Sequence, residues 1–223
     1  MWTDLAPVLL AMMISPARTL AVIILLHTPR STTTALSYVL GMVSAMMVQG
    51  AALGAAMSIV GLAAADRSSE LSAFIGALFL VGSIVLFAGA FKIATAPASG
   101  GGSLVSALER LERVDSSGAY RIGFGWIFAS PKQWVFTLTA VAIIFEAQLQ
   151  PLGSLANYLL FAVLVQLAYF LIIGLYVIAK DWASGVLDAM FGWTRANLKT
   201  VAIGLFSGFG LVFLLKAVTI LSS

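Results

Sequence analysis

The chain has 223 residues, 61% of them hydrophobic and only 9% charged, with 12 Lys and Arg against 9 Asp and Glu for a net charge of +3. Soluble domains carry roughly 25% charged residues, so this balance and a mean hydropathy of +1.05 exclude a soluble globular domain and predict an all-α polytopic membrane protein. The absence of cysteine excludes disulfides and thiolate chemistry.

Six apolar stretches reach the roughly 20 residues that a membrane helix needs, at 5–26, 35–60, 71–93, 122–145, 155–179 and 198–221. A transmembrane barrel would show short strands of alternating polarity instead. The first stretch lacks a basic segment ahead of it and carries Arg18 inside it, so it reads as a retained span, not a signal peptide. It holds Ser15-Pro16 and ends at His27, an interfacial residue. Pro29 precedes the second stretch, which contains Ser37-Tyr38 and Gln49. The third contains Gly82 and closes with Lys92.

The connection 94–121 is the one long linker. ATAPASGGGS is flexible by composition. LVSALERLERV then sets Leu104, Leu108 and Leu111 opposite Glu109, Arg110, Glu112 and Arg113, the pattern of a short helix on the membrane surface. Its charges nearly cancel, which suits a structural cover better than an anionic-lipid anchor. The fourth stretch carries ASPKQW, with Ser130, Pro131, Lys132 and Trp134. Pro151 precedes the fifth, with Asn157-Tyr158 and Gln166, and the sixth contains Gly208 and Lys216.

Cations concentrate on alternate connections. Arg30, then Arg110, Arg113 and Arg121, then Arg195 fall on one side, while the other has only Arg67 and Lys216. The positive-inside rule makes the first side cytoplasmic and puts both termini outside. Nothing in this distribution forms a nucleic-acid patch.

The two halves repeat. MMISPARTLAVIILL and IFASPKQWVFTLTAVAII share Ser-Pro followed within two residues by a cation, and Pro29/Pro151, Tyr38/Tyr158, Gln49/Gln166 and Lys92/Lys216 fall at matching places. The chain therefore divides into a first three-helix repeat at 1–93, the linker at 94–121 and a second repeat at 122–223. Three crossings per unit make the second enter from the opposite side, as two inverted repeats. Pro16 and Pro131 each remove a backbone donor, so the first helix of each repeat is expected to break near Ser15 and Ser130.

A cation at mid-membrane costs about 2.5 to 3.5 kcal/mol on insertion scales. Every acid in the chain lies in a loop or at a span end, so no intramembrane carboxylate neutralises Arg18 or Lys132. One reading has both cations face a substrate that supplies negative charge, beside freed helix N-termini that also favour anions; the other has them snorkel to an interface. Gln49 and Gln166 either bond substrate or join helices. Trp134 either meets an acyl chain or packs between helices. Trp2, Trp126, Trp182 and Trp193 read as belt residues. Ser15, Pro16, Arg18, Gln49, Ser130, Pro131, Lys132, Trp134 and Gln166 form the candidate substrate-binding set.

A six-span chain with a proline in its first span, a cytoplasmic linker and an S-P-K motif in its fourth resembles the lysine-exporter superfamily. The run ALERLERVDSSGAYRIGFGWIFASPKQWVFTLTAV, with GWTRAN later, is similar to the glycolipid-addressing branch of mycobacteria and relatives, the sulfolipid-addressing type. The family's fourth-span motif usually has asparagine where this chain has Ser130. The resemblance implies a transporter of lipids or glycolipids in the bacterial inner membrane, working toward the cell envelope and beside a large envelope lipid exporter; homo-oligomers are permitted. Export of small solutes such as amino acids, the activity of the wider superfamily, and an accessory subunit that transports nothing are the alternatives. An amino acid's ammonium would want a carboxylate that no span offers, which favours lipid.

Enzymatic and metal roles are not expected, and no cofactor is implied. The single histidine is His27, no HExxH or cysteine cluster exists, and the GGG at 100–102 follows no strand.

Overall fold

A computed structural model describes residues 1–28, 31–60, 68–95, 111 and 114–222. Among these are α1 Trp2–Met13, α2 Pro16–Leu26, α3 Ser31–Val60, α4 Ser68–Thr95, α5 Ser116–Phe128, α6 Pro131–Glu146, α7 Pro151–Ile178 and α8 Lys180–Leu221. Four helices are long and apolar enough to cross a membrane unaided. The pairs α1/α2 and α5/α6 each qualify as a further span bent at a break, by 52° and 70°.

Both breaks have one local cause. A residue before proline is pushed out of the helical region, and Ser15 (φ −140°, ψ 102°) and Ser130 (φ −86°, ψ 113°) are extended while Pro16 and Pro131 open the next helix. There the missing N–H is harmless and the fixed φ is an advantage.

Helix ends depart from the apolar windows where polar residues extend them. Helix α5 begins before residue 122 because the Asp115 side chain accepts from Gly118 N at 2.8 Å and caps it. More consequentially, residues 180–197 are not the connection that hydropathy suggests: α8 runs unbroken from Lys180 through this stretch into the last span. No proline follows Pro151 to stop it, Leu187 is buried, and Asp188 Oδ1 lies 3.0 Å from His27 Nε2. Hydropathy reports where a helix meets lipid, not where it ends. Pro29 and nearly all of the 104–113 segment lie outside the described residues.

The second halves of the broken pairs, α2 and α6, form the interior, and the continuous helices lie around them. From Leu20 to Leu26 every residue of α2 is buried, as is every residue from Thr139 to Ile144 in α6, the signature of a helix surrounded on all sides. Leu40, Ile84, Leu152, Leu171 and Leu215 leave the continuous helices with apolar outer faces, as lipid-facing surfaces require. The most extensive packing is α4 along α8 and α3 along α5, and α1 lies against α7. The α3–α5 crossing is set by glycine: a Cβ on Gly41 would sit 2.1 Å from Tyr120 O, and one on Gly123 2.1 Å from Tyr38 O. Such close approach is how membrane helices gain packing without a hydrophobic driving force.

Candidate functional site

Breaking a helix at Ser-Pro leaves carbonyls without intrahelical donors, and in low dielectric each such group needs a partner. The two breaks leave equivalent carbonyls, three and two residues before the serine. In the first half these are Met12 O and Met13 O. Met12 O accepts from Arg18 Nη2, and Met13 O accepts from the Tyr169 hydroxyl of α7 at 3.1 Å. In the second half Ile127 O accepts from Ser130 N and from Gln49 Nε2 of α3, both at 3.3 Å, and Phe128 O accepts from Trp134 Nε1 at 2.7 Å. Four different side chains thus close four matching carbonyls.

This accounting assigns several of the candidate residues. Gln49, fully buried, spends both ends on the protein, since its Oε1 also accepts from Thr137 Oγ1 at 3.2 Å; it joins helices. Trp134 closes a carbonyl and meets Phe128 edge-to-face at 5.3 Å, with its indole partly exposed. Gln166 places Nε2 3.5 Å from Met46 Sδ, while its buried Oε1 has no protein partner. Ser15 and Ser130 make no side-chain cap.

Arg18 is 2% exposed. Its guanidinium reaches back to the C-terminal end of α1, where helix carbonyls favour a cation, and its Cζ lies 5.6 Å from the centroid of the Tyr169 ring. It therefore serves the end of the preceding helix, not the freed N–H groups of its own. Nη1 is buried without a protein partner, and so is the hydroxyl of Tyr38.

Lys132 is placed otherwise. One residue after its proline, where Arg18 stands two after, it points about 100° away around the helix. Nζ lies 4.9 Å from the centroid of Phe206 in α8 and 5.7 Å from that of Phe136. Together with Ser15 and Pro16 of the other break, and with Phe206 and Phe209, Lys132 lines a cavity of about 40 Å³, room for a few waters or one small polar group. Among the described residues neither Arg18 nor Lys132 is paired with a carboxylate, whereas Lys216 pairs with Asp4 (2.6 Å) and His27 Nε2 meets Asp188 Oδ1 (3.0 Å), both toward helix ends. The structure thus brings Ser15, Pro16 and Lys132 around one cavity, and Gln49 and Trp134 belong to the scaffold of the second break.

Sequence reading misses Tyr169, Phe206 and Gln133. Gln133 is the true positional counterpart of Arg18, two after the proline, buried at 3% exposure with Oε1 unpartnered. Counting from the proline would have found it.

The family of Sap, the sulfolipid-1-addressing protein, matches residues 5–219. No curated protein and no solved structure matches the chain.

Proposed function

Because the chain belongs to the sulfolipid-1-addressing protein family, we propose that it moves a lipid or glycolipid with an anionic or polar headgroup across or out of a bacterial inner membrane toward the cell envelope. The observation that carries this reading is the pair of cations, Arg18 and Lys132, placed at the two helix breaks with no carboxylate partner among the described residues. An anionic group from outside the chain supplies the missing counter-charge in a low-dielectric site. Lys132 is the residue that meets it, since Lys132 borders the cavity and Arg18 is committed to Met12 O. A headgroup needs more room than this conformation gives, as ligand pockets run to roughly 300 Å³ and above. Transport therefore parts α8 from the broken helices at Phe206 and Phe209.

Inverted-repeat architecture and membership of the lysine-exporter superfamily are parts of this proposal. They are supported by the matching carbonyls at the two breaks and by matching contacts: α3 with α5 answers α7 with α1, and α4 with α6 answers α8 with α2. Both termini lie outside in this reading, so an impermeant thiol reagent on intact cells labels a Ser223→Cys variant and spares Ser103→Cys. The role is transport, not catalysis; an amino-acid cargo is disfavoured because its ammonium would meet two cations.

The test is reconstitution of the purified protein into liposomes with a fluorescent anionic glycolipid. The expected result is transfer between leaflets that Lys132→Gln abolishes. Transfer no faster than in protein-free liposomes would contradict the proposal and favour an accessory subunit.

A further inference from the structure

A second cavity lies on the other side of α6 from Lys132. It measures about 330 Å³, opens to one side and is lined by Gly50, Gly54 and neighbours on α3, by Val141, Ile144 and Phe145 on α6, and by Leu155 and Tyr158 on α7. Its volume is in the range of ligand-binding sites, roughly 300 to 1,000 Å³. Its polarity is not that of a solute site. The Tyr158 hydroxyl is spent on Met46 O at 2.6 Å, and Ser154 turns back to Leu149 O. No polar group is left to recognise a solute or to satisfy a water, which needs two to four polar partners.

We infer that this cavity seats one acyl chain of a bilayer phospholipid, entering sideways from the membrane between α3 and α7. The occupant follows from continuity with the lipid-facing surface. Leu155 both lines the cavity and is 54% exposed, and Leu152 and Val48 extend the apolar exterior on the same two membrane-crossing helices. An acyl chain is the ligand present at that surface whose burial needs no hydrogen bond. Each methylene that leaves disordered lipid gains only packing there, so the seat selects shape over chemistry.

The wall is shaped for this. Gly50 is needed to seat the Tyr158 ring, whose atoms would lie 2.2 Å from an added Cβ, whereas an added Cβ on Gly54 meets nothing nearer than Phe145 Cε2 at 3.8 Å. Gly54 therefore opens the cavity without being required by packing, and a larger side chain there fills it.

The experiment uses the full chain in nanodiscs of phosphatidylcholine bearing a diazirine at one acyl terminus, with adducts mapped by mass spectrometry after irradiation. Adducts are expected on Val141, Ile144, Phe145 or Leu155, and Gly54→Leu should reduce them severalfold while those on Leu152 and Leu171 persist. Ala51→Leu, from a neighbouring position on the same wall, provides a second filling variant should the first fail to fold, and thermal stability is followed for both. Adducts confined to Leu152 and Leu171 in the unaltered protein, or unchanged by a folded filling variant, would overturn the inference. Labelling is expected to survive Lys132→Gln, so failure of this seat and failure of the Lys132 headgroup site are read separately.

Discussion

The two helix breaks share a sequence device and differ in how they are finished. At the first, the local cation is engaged by the scaffold: Arg18 is buried, its Nη2 closes Met12 O, its Cζ lies 5.6 Å from the Tyr169 ring centroid, and Nη1 is left without a protein partner. At the second, the scaffold finds neutral donors in Gln49 and Trp134, and Lys132 is left beside a cavity over the faces of Phe206 and Phe136. Two motifs of like appearance thus divide the labour. A cation that stabilises a break has fewer donors left for a ligand, and a cation relieved of that task keeps all of its own.

Three substitutions grade this difference. Arg18→Gln should be the most damaging to the fold, because Met12 O loses a charge-assisted donor in a buried setting; about 3 kcal/mol is expected. Its readout is thermal unfolding in detergent, and an unchanged melting temperature would return Arg18 to the ligand side of the comparison. Gln49→Leu removes one donor and one acceptor at the second break, leaving Ile127 O with its bond from Ser130 N alone and the Thr137 hydroxyl to re-pair, and should cost about 2 kcal/mol by the same assay. Trp134→Phe keeps the aromatic contact with Phe128 while deleting the bond to its carbonyl. About 1 kcal/mol is expected, with lipid transfer retained; loss of transfer at full stability would make Trp134 a ligand residue after all.

How much of this is legible in the sequence depends on whether the partner is local. Pro16 and Pro131 announce both breaks, since the restriction on the preceding residue acts over one peptide bond. The lack of intramembrane acids is equally plain, because absence needs no geometry. The roles of Gln49, Tyr169 and Trp134 are hidden, because the carbonyls they close exist as acceptors only once the helices have broken and packed. Gln49 lies 78 residues from Ile127, and Tyr169 lies 156 from Met13. Arg18 stands two residues after its proline and Lys132 one after, a difference legible in the sequence that turns the two side chains to different faces. The helix through residues 180–197 was missed for a different reason, as a helix that leaves lipid keeps its backbone bonds but loses the apolar signal.

The central claim is that Lys132, not Arg18, carries the charge that a lipid headgroup meets. It is tested most directly by titrating an anionic and a zwitterionic lipid of matched chains onto the purified wild type and Lys132→Gln, with unfolding temperature recorded for each. Lys132→Gln should unfold at the wild-type temperature or above, since burial of an unpaired ammonium is unfavourable, and should lose its preference for the anionic lipid. Retention of that preference by a folded Lys132→Gln protein would contradict the account.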